Sequence, residues 1–105
     1  MAKYYFTNKA VEDLAKIWNY TLENWSENQA DKYYDLSLSS CSDLAKNPMA
    51  GKQYDILTKG ILGYKSGEHI IFYRMVSTNE IEIARILHGM MNLKNKLYEP
   101  RIKAV

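Results

Sequence analysis

The chain has 105 residues, 47% hydrophobic and 25% charged, with nine Tyr, five Gly and two Pro, which fits one globular domain over residues 1–105 and excludes a disordered or low-complexity chain. The single Cys41 excludes an internal disulfide framework and a Cys-based zinc site; no apolar run approaches the roughly 18 residues of a membrane span, and no secretory layout opens the chain, so a reducing, cytoplasmic setting is expected. Residues 1–50 hold five Lys and no Arg against seven Asp and Glu, whereas residues 51–105 hold nine Lys and Arg against five Asp and Glu, so the second half is basic, suited to an acidic partner but too weakly charged to indicate nucleic-acid binding alone.

Lys3 to Phe6 reads as a short strand, because Tyr4, Tyr5 and Phe6 favour extended backbone. Thr7 offers an N-cap, and from Asn8 the pattern turns helical. Val11, Leu14, Ala15, Trp18, Leu22 and Trp25 recur at three- and four-residue steps, which predicts an inward stripe with Trp18 buried between helix and sheet. Glu12 and Lys16 form an i,i+4 pair on the outer face. Ser26-Glu27-Asn28-Gln29 is a capping-box pattern that starts a second helix. Its inner stripe is Ala30, Tyr33, Tyr34, Ser37, Cys41, Leu44 and Ala45, and Pro48 stops it by disfavouring helical geometry at Asn47. The near contact of the two helices in sequence predicts an antiparallel hairpin.

From Lys52 the pattern changes to a period of two or to continuous apolar runs. Tyr54 to Leu57 is a weak strand candidate, Ile61 to Lys65 a better one, and Ser66-Gly67-Glu68 a turn. His69 to Val76 is apolar on both faces and is expected at the sheet centre. A loop over Ser77–Glu80 leads to a strand over Ile81–Leu87, which His88 and Gly89 end. Met90 to Leu97 is expected as a short helix or ordered tail. The order β-α-α-β-β-β gives an α+β fold: an N-terminal strand and a helical hairpin packed on one face of a small, largely antiparallel sheet. The first strand needs an edge position or a partner far along the chain. The second sheet face is expected to lie uncovered, as a docking surface.

No GxGxxG, P-loop, HExxH or Gly-x-Ser-x-Gly motif is present, and the two His have no carboxylates at metal-ligand spacing, so neither cofactor nor metal is expected. The candidate chemistry is Arg74, Arg85 and His88, with His69 and Tyr73 nearby. Guanidiniums and an imidazole together can clamp a phosphodiester and move protons; alternatively each Arg reaches solvent or pairs with a carboxylate such as Glu68 or Glu82.

Four segments carry a family resemblance. They are Ala10-Val11-Glu12-Asp13-Leu14 with Ile17-Trp18-Asn19-Tyr20; Ala30-Asp31 and Tyr33 with Leu44-Ala45 and Asn47-Pro48-x-x-Gly51; Gly67 with Ile71-Phe72-Tyr73-Arg74; and Ile86-Leu87-His88-Gly89 with Leu93. In this order, from Thr7 to Leu97, the chain resembles the ParE branch of the RelE/ParE toxins of type II toxin–antitoxin systems. The resemblance implies the fold reached above and a bacterial toxin that inhibits DNA gyrase without being an enzyme and is neutralised by a ParD-like antitoxin. It implies no membrane and no sequence-specific nucleic-acid binding by the chain alone. RelE-like members instead cut messenger RNA on the ribosome, and an inert member would only bind a partner. Gly89 and Ile70 depart from the nuclease pattern, which leaves His88, Arg85 and Arg74 as the catalytic set only if the chain is a nuclease. Otherwise Tyr73, Arg74, Arg85, His88, Met90, Met91 and Lys94 are the expected contacts to target or antitoxin.

Overall fold

The computed structural model describes residues 2–54 and 60–89. Strand β1 (Lys3–Phe6) leads into α1 (Asn8–Asn24) and α2 (Glu27–Lys46), then a 3-10 turn (Pro48–Ala50), β2 (Lys52–Gln53), β3 (Leu62–Ser66), β4 (His69–Ser77) and β5 (Glu80–His88). The sheet order is β1-β5-β4-β3-β2, antiparallel except for the parallel β1–β5 pair. A parallel pair needs a long crossover, and the helical hairpin supplies part of it. The α+β order, the central position of β4 and the edge position of β1 with a distant partner all follow the expectation. β2, however, falls at Lys52–Gln53 rather than at Tyr54–Leu57, and residues 55–59 lie outside the described ones.

Both predicted caps form. Thr7 Oγ1 accepts from the Ala10 amide at 3.1 Å and Ser26 Oγ from the Gln29 amide at 3.1 Å. The phase of α1 differs from the expectation. Its buried residues are Ala10, Asp13 and Leu14, with Ile17 packed against the core, whereas Val11 is 53% and Trp25 74% exposed. Trp18 is half-buried and sits between the helices, its indole Nε1 donating to Asp31 at 3.5 Å, rather than against the sheet. The physical reason is that the sheet-facing row of α1 includes a carboxylate, Asp13, which apolar periodicity assigns to solvent. On α2 the small residues Ala30, Ser37, Ser40, Cys41 and Ala45 are buried, while Tyr34 is turned outward. Burial pushes the Cys41 thiol up to about 12, so it packs as a small apolar group.

The junction of α1 and β5 is built around a β-bulge. The β4–β5 register passes from Tyr73↔Ile83 to Phe72↔Arg85, so Ala84 has no partner. The polar groups around that residue are met by the first two turns of α1. Thr7 Oγ1 donates to the Ala84 carbonyl at 2.8 Å and the Thr7 amide donates to the Ile83 carbonyl at 3.0 Å. Asp13, 6% exposed, accepts from Arg85 Nε at 2.8 Å, Arg85 Nη2 at 3.1 Å and the Ile86 amide at 3.0 Å.

The second sheet face is covered in part, which corrects the expectation of an open face. Ile61, Phe72 and Leu87 are at most 3% exposed, and the Tyr54 ring lies edge-on to Phe72 with centroids 5.2 Å apart. Gly63 makes room for that ring: a Cβ there would meet Tyr54 Cδ2 at 2.9 Å. On β4 the exposed large apolar side chains lie at its far end, at Met75 and Val76.

Two stability outcomes follow from this packing. Asp13→Ala removes the carboxylate that pairs with a largely buried guanidinium and accepts from the Ile86 amide, and is expected to cost about 3–5 kcal/mol in urea denaturation. Trp18→Ala is expected to cost about 1–2 kcal/mol, less than the ~3–5 kcal/mol of a fully buried aromatic. A Trp18→Ala loss equal to that of Asp13→Ala would place Trp18 in the core after all.

Candidate functional site

Where β3, β4 and β5 meet the hairpin, one cluster of titratable side chains forms. A two-residue turn, Gly67-Glu68, joins β3 to β4, and Gly67 has φ +62°, a conformation that favours Gly. A Cβ at Gly67 would also strike the Tyr33 hydroxyl at 2.7 Å. That hydroxyl accepts from the Glu68 amide at 2.9 Å and directs its single proton to His69 Nδ1 at 2.6 Å or the Ser66 carbonyl at 3.3 Å. His69 lies opposite His88 across the sheet, ring centroids 5.3 Å apart and nearly perpendicular. A small cleft of about 100 Å³ opens beside them, lined by Lys16, Arg85 and both imidazoles among others.

The electrostatics follow from burial. Removal from water, and then the neighbouring His88, hold His69 below the ordinary imidazole value, against smaller opposing effects of Glu68 and Asp13. Removal from water also raises Tyr33, so its phenol stays protonated near neutrality. Arg85 faces this cleft but is held by Asp13 in a two-pronged ion pair, with side chains 15% and 7% exposed.

The expected site residues are thus distributed. His88 and Arg85 come together, with His69 and Tyr33 beside them. Arg74 does not join them: it is exposed and lies in register with Glu82, six residues from His88 along β5 and so roughly 20 Å away. Arg85 pairs with Asp13 on α1, not with Glu68 or Glu82. Tyr73 is not a surface contact. It is 0% exposed, its hydroxyl donates to the Pro48 carbonyl at 2.6 Å and accepts from the Gly51 amide at 3.0 Å. Met90, Met91 and Lys94 lie outside the described residues, as does the expected element over Met90–Leu97. Tyr33, read as part of the inner stripe of the second helix, is the site residue that sequence reasoning missed. A signal for the imidazole pair existed: a hairpin with Thr78 and Asn79 as its loop places His69 opposite His88. Two bulges, one in each strand, cancel and leave that pairing intact.

Among the described residues no group of three or more His, Cys, Asp or Glu is arranged to hold a metal ion, and no helix is long and apolar enough to cross a membrane. The sequence model for the ParE toxin of the type II toxin–antitoxin system parDE matches residues 4–93. The chain belongs to the ParE toxin family. It is similar to Toxin ParE1 of Caulobacter vibrioides, 32% identical over 97 residues that span 92% of this chain and 99% of the relative. It is also similar to Toxin ParE1 of Mycobacterium tuberculosis, 28% identical over 96 residues, 91% of this chain and 98% of the relative. Among solved structures, a chain of the chromosomal ParDE system of P. aeruginosa superposes with a TM-score of 0.69 at 21% identity, covering 84% of this chain and 95% of that one, which shows a shared fold. The protein is therefore the toxin of a ParDE-type system.

Folded His69 releases its proton more readily than the ordinary value of 6.5. The unfolded chain therefore takes up a proton first as pH falls, and stability that is present above that value is lost as the pH drops through and below it. The urea midpoint is expected to be lower at pH 5.5 than at pH 7.5, with a smaller difference in His69→Asn. An identical difference in the variant would show that His69 is not the group responsible.

Proposed function

We propose that this toxin inhibits DNA gyrase by binding it, without a nucleolytic step, and that a cognate ParD-like antitoxin neutralises it in the cytoplasm. The observation that carries this reading is the placement of the two arginines. RNA cleavage through its own 2′-hydroxyl needs a base, an acid and positive charge held at one phosphate. Here Arg85 is engaged by Asp13, and Arg74 stands roughly 20 Å from His88 along the sheet. Membership in the ParE family supports the same target, and the ParDE-type system supports an antitoxin partner.

A second reading, a ribosome-dependent endoribonuclease, is favoured by one observation: His69 lies beside His88, so two imidazoles share a cleft with Lys16. The two readings separate cleanly. Purified toxin is expected to block gyrase supercoiling and to trap cleaved DNA, to cause filamentation and DNA-damage signalling in cells, and to leave translated messenger RNA intact in primer extension. Codon-positioned RNA cuts that vanish in His88→Ala, with supercoiling untouched, would establish the nuclease instead.

A further inference from the structure

The imidazole cleft continues past the imidazoles. Asp13, Lys16, Ile17, Tyr20 and Thr21 follow one another at three- and four-residue steps and share one face of α1. The first three line the small cleft of about 100 Å³, and the last two line a second cavity of about 300 Å³ toward the tip of the hairpin. His69 lines both, so the two lie end to end as one trough. The second cavity alone reaches the roughly 300 Å³ at which small-molecule sites begin.

The two ends differ in chemistry. The cleft end is cationic: Lys16 brings an ammonium, while Asp13 and Arg85 offset each other in their ion pair. With the Tyr33 proton on its Nδ1, neutral His69 carries its own proton on Nε2, so it is a donor in either charge state. The far end is aromatic. Trp25, 74% exposed, and Tyr20, 65% exposed, are the two most exposed aromatic side chains among the described residues, and both line the second cavity with Tyr33. Rings displayed in this way gain by stacking on a flat partner. Glu68 also stands at this end, where its carboxylate turns a phosphate away toward Lys16 and can accept from an amino group. Lys16 and Tyr20 are about one turn, roughly 6 Å, apart along the helix axis, a distance that a sugar spans between a phosphate and its base. A bare phosphate would leave the rings without a partner, and an aromatic peptide side chain would leave the ammonium without one.

We propose that this trough binds a nucleotide, its base stacked on Trp25 and Tyr20 and its phosphate held by Lys16 and the imidazole pair. The inference calls for no cleavage and is independent of the gyrase reading. The same chemistry belongs to a free nucleotide and to one unit of a single strand, and the test separates them.

Titration calorimetry on the full-length toxin compares deoxyadenosine 5′-monophosphate with deoxyadenosine, inorganic phosphate, phenyl phosphate and a single-stranded deoxyadenosine tetranucleotide. These ligands lack a 2′-hydroxyl, so RNA-type cleavage cannot intervene. The monophosphate is expected to bind about tenfold tighter than deoxyadenosine, phosphate or phenyl phosphate, because it alone of these four fills both ends. Trp25→Ala is expected to weaken the monophosphate by about tenfold, the size of one lost base stack, and to leave inorganic phosphate unchanged. Lys16→Gln is expected to weaken the monophosphate and inorganic phosphate by about three- to tenfold, as loss of a solvent-screened charged hydrogen bond does, and to leave deoxyadenosine unchanged. Lys52→Gln, the same charge change on exposed β2 and outside both linings, is expected to leave every affinity within about twofold. Circular dichroism and urea midpoints matching the parent establish that the variants fold. A tetranucleotide that binds more than about tenfold tighter than the monophosphate, through the same two residues, assigns the site to a nucleotide within a strand, and binding no tighter assigns it to a free nucleotide. No binding of either would overturn the proposal. So would a monophosphate that binds no tighter than phenyl phosphate, or binding that Trp25→Ala and Lys16→Gln both leave intact.

Discussion

The fold depends on a clamp between the first two turns of α1 and a bulge in β5. A bulge leaves backbone polar groups unpaired, and an unpaired buried amide or carbonyl costs about 1–3 kcal/mol. Thr7 serves two structures with one hydroxyl: it accepts from Ala10 to start α1 and donates to the Ala84 carbonyl at the bulge. Asp13, one helical turn beyond Ala10, takes the Ile86 amide and the Arg85 guanidinium together. The helix cannot rotate or slide on the sheet without breaking these bonds, so the clamp sets the phase of α1. It also decides which residues of α1 face outward.

The family motifs become physical statements when read through the structure. Asp13 belongs to the pair that seats α1. Asn47-Pro48-x-x-Gly51 and Tyr73 are two ends of one contact, in which the buried phenol fastens the 3-10 turn after α2 to the sheet. A Cβ at Gly51 would meet Tyr73 Cε1 at 2.9 Å and its hydroxyl closer still. Gly67 lets the β3–β4 turn pass beneath Tyr33, which brings His69 and Tyr33 into contact. These residues are constrained by packing, whatever surface the toxin uses on its target.

The chain divides into two surfaces of different chemistry. The hairpin, from the half of the sequence with more acids than bases, carries an apolar groove with Asp31 in its lining. The sheet, from the basic half, carries Arg74 on one side and the imidazole pair at one end of the other. A toxin that must be silenced by one protein and act on another has a use for two surfaces that do not select the same partner.

The sequence by itself determined the element order, both helix caps, the stop at Pro48, the central strand from His69 and the family. Each of these is set by local rules: Thr7 and Ser26 cap because a hydroxyl reaches an amide three residues on, and the central strand shows as an apolar run. A hairpin count over Thr78 and Asn79 also pairs His69 with His88, but it holds only because the bulges at Val76 and Ala84 cancel, which the structure decided. Tertiary structure decided the rest. Periodicity treats an aspartate as a surface residue, so it could not show that Asp13 faces the sheet and Trp18 does not. That depended on Arg85, 72 residues away along the chain. Nor could it show that Arg74 and Arg85 part company, because a strand's direction of display changes at a bulge, and the bulge at Ala84 is met by groups on another element.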